Sequence, residues 1–199
     1  MQNPFEIGYY TSEELRTMGF AKVGDNVSIA RNCSIYGLGN ISLGNNVRID
    51  GFCTLTAAGN RVTIGSYVHI GTSCLLLGGG GITLEDFSSI SHGVKIFTGN
   101  DDFSGGHLTN PTVPAQFLKI HCAPVTLKKH AIVGAGSIIL PGVTLEEGVA
   151  VGALSLVKRN LPAWTIYAGY PARKIGVRSQ ELLVLEQSLL EALKPRAIT

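Results

Sequence analysis

The stretch Ile64-Gly65-Ser66-Tyr67-Val68-His69-Ile70-Gly71-Thr72-Ser73-Cys74-Leu75-Leu76 holds two full periods of a six-residue beat: an aliphatic residue, a glycine, and a small or β-branched residue in the fifth place. The beat runs outward in both directions. Before it stand Val23, Ile29, Ile35, Leu43, Ile49 and Leu55; after it come Leu84, Ile90 and Ile96, then, beyond a gap, Leu127, Val133, Ile139, Leu145, Val151 and Val157. The fifth place is taken by Val27, Cys33, Val47, Cys53, Val68, Cys74, Val94, Ser137, Val143, Val149 and Ser155. A hexad supplies one short strand and a turn, and three hexads make one triangular coil. Stacked coils share a core that no single coil can bury. The sequence therefore predicts a three-sided parallel β-solenoid.

The slips in phase add to this reading. The beat jumps by two or three residues after every third hexad, near Gly39-Asn40, Gly59-Asn60 and Gly78 to Gly81, so the slack collects at one corner. The same corner receives the one long insertion, residues 98–124, and long loops in compact repeats are where chemistry is sought first.

Composition fits one soluble domain: 199 residues, 45% hydrophobic, with 25 glycines in no triplet period. No apolar run nears the roughly 20 residues that span a bilayer, and MQNPFEIGYY has neither a charged nor an apolar leader region, so a cytoplasmic protein without a membrane span is expected. A net charge of +2 gives no ground for nucleic-acid binding. The grouping of Lys158, Arg159, Arg173, Lys174 and Arg178 does suggest a surface for phosphates.

Cys33, Cys53 and Cys74 share one hexad position and are expected to stack as small buried hydrophobes, unbridged. Thr11-Ser12-Glu13-Glu14 reads as a capping box before a short helix that ends at Gly19. Leu182, Leu185, Leu189 and Leu193 recur at helical spacing between Ser179 and Lys194, with Pro195 as the stop. The expected organisation is an N-terminal segment with a short helix (1–22), a β-helix domain (23–178) carrying the inserted loop 98–124, and a C-terminal helix (179–199).

Taken with Val133-Gly134-Ala135-Gly136-Ser137-Ile138, Val151-Gly152-Ala153-Leu154-Ser155-Leu156-Val157-Lys158-Arg159, Tyr167-Ala168-Gly169-Tyr170-Pro171-Ala172-Arg173-Lys174-Ile175 and Ile96-Phe97-Thr98-Gly99-Asn100-Asp101-Asp102, the hexads resemble those of the hexapeptide-repeat acyltransferases over about residues 20 to 178. The resemblance implies a left-handed parallel β-helix, an all-β fold whose hand the periodicity does not give, and a homotrimer with active sites between subunits. It also implies acyl-CoA as co-substrate, acetyl-CoA or another short acyl-CoA, with no metal. A CoA thioester needs cations at one end and exposed backbone along an extended arm. Ala135, Gly152 and Ala153 are therefore expected along the pantetheine arm, and Lys158, Arg159 and Arg173 at the phosphates.

Where the sugar O-acetyltransferases of that family place a histidine, this chain reads Thr98-Gly99-Asn100-Asp101. A hydroxyl nucleophile benefits from an imidazole base. An amine is already nucleophilic and is served by a carboxylate that orients its ammonium form and takes its proton. Asp101 is thus the expected catalytic residue of an N-acyltransferase that resembles those acting on nucleotide-linked 4-amino-4,6-dideoxy sugars, such as dTDP-4-amino-4,6-dideoxyglucose, in O-antigen and lipopolysaccharide biosynthesis. Ser91, His92, Asn100, Asp102 and His107 are the candidate substrate-binding residues, with His107 a possible proton relay and Asp102 an alternative to Asp101. His69 and His130 fit outward, structural positions. Two other readings stay open: a sugar O-acetyltransferase with His107 or His92 as base, and a non-catalytic or zinc-binding β-helix. No two histidines among His69, His92, His107, His121 and His130 stand five residues apart, the spacing of the zinc-binding members.

Overall fold

A computed structural model describes residues 6–194. The chain winds as a three-sided parallel solenoid whose faces are sheets of nine, six and six strands. The first face carries Ser28–Ala30, Arg48–Ile49, His69–Ile70, Ser89–Ile90, Ile132–Val133, Ala150–Val151 and Thr165–Ala168; two antiparallel strands, Tyr9–Tyr10 and Arg173–Val177, close its ends. The second holds Ser34–Tyr36, Thr54–Thr56, Leu75–Leu77, Lys95–Phe97, Ile138–Ile139 and Leu156–Val157. The third holds Lys22–Val23, Ile41–Leu43, Val62–Ile64, Ile82–Leu84, Val125–Leu127 and Thr144–Leu145.

Register is kept from coil to coil, so Ile49, Ile70, Ile90, Val133 and Val151 lie over one another, as do Leu55, Leu76, Ile96, Ile139 and Val157. These heading residues are buried. Each contributes about 1.5–3 kcal/mol relative to an exposed position, and only because the next coil covers it. The thiols of Cys33, Cys53 and Cys74 are free and form a column, each donating to a carbonyl of the next coil: Asp50 O at 3.2 Å, Gly71 O at 3.1 Å and Ser91 O at 3.1 Å.

The slack does fall at one corner, between the second and third faces. Residues 98–124 leave and re-enter there through a neck in which Gly99–Asn100 pairs antiparallel with His121–Cys122. The buried Thr98 hydroxyl accepts from Gly80 N and donates to Leu77 O, and Ala123 N donates to Thr98 O at 2.9 Å. The capping box forms as expected, with Thr11 N donating to Glu14 Oε2 at 2.8 Å, but its helix covers only Ser12–Arg16. The C-terminal helix runs Leu182–Ala192, shorter at both ends than the expected segment Ser179 to Lys194; Pro195 lies outside the described residues. No helix among the described residues is long and apolar enough to cross a membrane.

His130 departs from the expectation of an outward position. It is 7% exposed and belongs to a column of left-handed corner residues between the third and first faces: Asn26, Asn46, Tyr67, Phe87, His130, Gly148 and Trp164. Tyr67 stacks on Phe87 with ring centroids 4.7 Å apart, Phe87 stacks on His130 at 5.2 Å, and His130 Nε2 lies 2.8 Å from Glu186 of the C-terminal helix. Trp164 lies flat over Gly148, where a Cβ would sit 2.3 Å from its ring. Gly148→Ala, which adds that clash to a positive φ of 68°, is expected to destabilise by about 2–4 kcal/mol, read as the shift in urea midpoint. Conversely, Ser88 has a fully buried hydroxyl with no partner among the described residues, so Ser88→Ala is expected to be neutral or to raise stability by about 1 kcal/mol.

Candidate functional site

The candidate residues divide between two corners of the prism. At the corner joining the first and second faces, successive coils stack Asp50, Gly71, Ser91, Gly134 and Gly152 in one column, and Gly51, Thr72, His92, Ala135 and Ala153 in the next. The pairings Gly136 N to His92 O at 2.9 Å and Leu154 N to Ala135 O at 2.8 Å fix this order. The glycine at 134 is required by the stacking: a Cβ there would lie 2.5 Å from Ala153 N. Among the described residues the N–H groups of Ala135 and Ala153 have no partner, so this edge presents two open donors above Ser91 and His92. Gly152 does not join them. Its N–H donates to Tyr167 O at 2.7 Å and its carbonyl accepts from the Ser137 and Ser155 hydroxyls, so it shapes the edge and offers no backbone group to a ligand. His92 is exposed, with Nδ1 accepting from Thr72 N at 3.2 Å.

Asp101 stands at the other corner, between the second and third faces, in the mouth of the long loop. There Asn100, Asp101, Asp102, Phe103, Ser104, His107, Lys119, Ile120 and His121 help to line an open cavity of about 370 Å³. Asp102 is committed within the loop: Oδ1 accepts from Ser104 N at 2.8 Å and from the Ser104 hydroxyl at 2.6 Å, and Oδ2 pairs with His107 Nδ1 at 2.8 Å. The Ser104 hydroxyl and then His107 hold its carboxyl well below the usual carboxylate range. Asp102 therefore caps the turn and anchors His107. Asp101 receives only a long bond, from Asn110 N at 3.4 Å, which leaves its carboxylate available. Lys119 and His121 were not foreseen in this cavity. They arrive through the antiparallel neck, a long-range pairing on which the hexad beat is silent.

Of the cationic candidates Lys158 and Arg159 lie along that second corner too, whereas Arg173 begins the edge strand of the first face. Lys158, Arg159 and Arg173 surround one end of the solenoid together with Leu156, Val157, Leu161, Pro171 and Ala172. Within one chain, then, Ser91, His92, Ala135 and Ala153 occupy one corner, whereas Asp101 and Lys158–Arg159 occupy the next, with the second face between them. That face turns Tyr36, Leu75, Leu77, Phe97, Ile138 and Leu156 outward. Among the described residues no three His, Cys, Asp or Glu side chains converge as a metal site would require.

No family model matches the chain. It is 44% identical over 192 residues, 96% of this chain and 98% of the relative, to the dTDP-4-amino-4,6-dideoxy-D-glucose acyltransferase of Escherichia coli. It is 32% identical over 157 residues, 78% of this chain and 77% of the relative, to nodulation protein L of Rhizobium leguminosarum bv. viciae. Among solved structures, AntD, an N-acyltransferase from Bacillus cereus in complex with dTDP and 3-hydroxybutyryl-CoA, superposes with a TM-score of 0.90 at 48% identity, over 94% of this chain and 99% of that one. Further crystals of AntD carry a replaced aspartate, or a replaced serine ten positions before it; two of the serine variants hold dTDP-4-amino-4,6-dideoxyglucose and coenzyme A.

Proposed function

The chain belongs to the hexapeptide-repeat acyltransferases, and from that membership we propose that it transfers a short acyl group from acyl-CoA to the amino group of a nucleotide-linked amino-deoxy sugar, dTDP-4-amino-4,6-dideoxyglucose, within surface-glycan biosynthesis in the cytoplasm. One observation carries the reading: Ser91 and Asp101 stand ten residues apart, the spacing of the replaced pair in AntD, yet on different corners of one coil. A site that uses both takes one corner from each of two copies. The backbone donors of Ala135 and Ala153 and the cations Lys158 and Arg159 divide the same way, so acyl-CoA would lie along the same seam, with Arg173 at its end. The apolar outward face between the corners supplies the contact for a homotrimer around a central axis.

In this arrangement the sugar ammonium is drawn to Asp101, which accepts its proton and orients the freed amine, while Ser91, His92 and Asn100 line the acceptor pocket. The nitrogen attacks the thioester carbonyl, and a backbone N–H of the Ala135–Ala153 edge steadies the tetrahedral oxyanion. Collapse breaks the carbon–sulfur bond. The attacking nitrogen gives its second proton to the departing thiolate, leaving an amide and free coenzyme A, and the first proton, held by Asp101, passes to water. His107, fixed by Asp102, is placed to pass protons between the loop cavity and water.

Mass spectrometry of reactions containing acyl-CoA and either the amino sugar nucleotide or its 4-hydroxy analogue tests the proposal. Acylation confined to the amine is expected; equal turnover of the hydroxyl analogue would favour an O-acetyltransferase instead.

A further inference from the structure

Register places Cys33, Cys53, Cys74, Val94, Ser137 and Ser155 over one another, just inside the corner that joins the first and second faces. The two serines are buried, at 0% and 1% exposure, in a column where Val94 shows that an apolar side chain satisfies the packing. Buried hydroxyls need partners. Ser137 Oγ accepts from Ser155 N at 3.1 Å, and Ser155 Oγ accepts from Gly169 N at 3.1 Å. Each hydroxyl keeps one hydrogen to donate, and both are directed at the same oxygen, the Gly152 carbonyl, at 3.0 Å from Ser137 and 2.7 Å from Ser155. The other acceptor near Ser155, Ala153 O, is more distant at 3.5 Å.

The peptide plane carries this buried arrangement to the surface. In a trans peptide the carbonyl and the N–H point in opposite directions, so a Gly152 carbonyl clamped inward aims the N–H of Ala153 outward. That N–H is one of the two open donors of the edge. The rung beside it lacks the device. Val94 occupies the place from which a side chain would donate to the Gly134 carbonyl, and among the described residues that carbonyl takes only a long bond, from Ser137 N at 3.4 Å. Ala153 is therefore the more firmly aimed donor of the two. It lies two coils, roughly 10 Å, from Ser91, on the side of the cationic end of the solenoid.

We infer that Ser137 and Ser155 are positioning residues for the co-substrate: by clamping the Gly152 carbonyl they preset the Ala153 N–H to donate to an amide carbonyl of the pantetheine arm, which neither serine touches. The inference rests on acyl-CoA being the co-substrate. The thiols of the earlier coils show that sulfur can fill the same role, since Cys74 Sγ donates to Ser91 O at 3.1 Å from the same column.

Steady-state kinetics with both substrates varied, together with thermal melting, tests this on the full chain. Ser137→Ala combined with Ser155→Ala is expected to raise KM for acyl-CoA about tenfold, with KM for the amino sugar and kcat at saturating acyl-CoA little changed, because the arm is held equally in ground and transition states. Ser137→Cys combined with Ser155→Cys, which keeps a hydrogen to donate, is expected to return KM for acyl-CoA to within about threefold of wild type. A folded double alanine variant that melts earlier but keeps the wild-type KM for acyl-CoA would make the pair purely structural and overturn the assignment. Should that variant fold poorly, Ser155→Ala alone decides: KM for acyl-CoA about threefold higher is expected, and an unchanged value overturns it. Either failure leaves the acylation reaction standing, since wild-type turnover is read in the same assay. A wild-type protein that transfers nothing from acyl-CoA would overturn that reaction and this inference together.

Discussion

Asp101→Asn is expected to lower kcat by about two orders of magnitude with the KM for acyl-CoA little changed, because the amide keeps the shape of the carboxylate and loses its ability to take a proton. The loss should shrink as pH rises, since the free amine then forms without help. A plot of kcat against pH for the wild-type and variant enzymes, converging on the alkaline side, is the expected record. His107→Ala should cost far less, about tenfold or under, because His107 acts through the loop and Asp102 retains Ser104. The opposite ranking, with Asp101→Asn near the wild-type rate and His107→Ala inactive, would move the chemistry to an imidazole and with it favour a hydroxyl acceptor.

Two inactive variants should restore each other. Ser91→Trp blocks the first corner and leaves the loop intact; Asp101→Asn does the reverse. If each site takes one corner from each of two copies, subunits mixed at equal ratio through unfolding and refolding carry both intact halves at about one interface in four, so about a quarter of the wild-type activity is expected to return. Mixing without exchange of subunits should return nothing, which provides the control. Activity absent after exchange, in particles shown to be mixed, would place Ser91 and Asp101 in a single chain's site, against the separation of their corners.

The solenoid was legible because its determinants are local and periodic: each heading aliphatic from Val23 to Val157 meets the core only through the rung above and below, and the slips of phase mark the slack corner. The capping box at Thr11 was legible for the same reason, being closed by residues three apart. What escaped the sequence depends on stacking between rungs. His130 looks like any polar corner residue until Phe87 and Glu186 are placed around it, and Gly152 looks like an open backbone until Ser137, Ser155 and Tyr167 take its polar groups. Lys119 and His121 reach the cavity of Asp101 through a neck whose two strands are some twenty residues apart. Asp101 itself was visible only by contrast with a family pattern, since an Asn-Asp-Asp run reads equally well as a turn.

The bond from Ala123 N to Thr98 O closes the coil at the root of the insertion, independently of what the 24 residues between them contain. Scaffold and reagent are therefore separable parts. Joining Thr98 to Ala123 through a short glycine bridge should yield a prism that still folds and stacks, yet transfers nothing, and new loops grafted at that root would stand on unchanged coils.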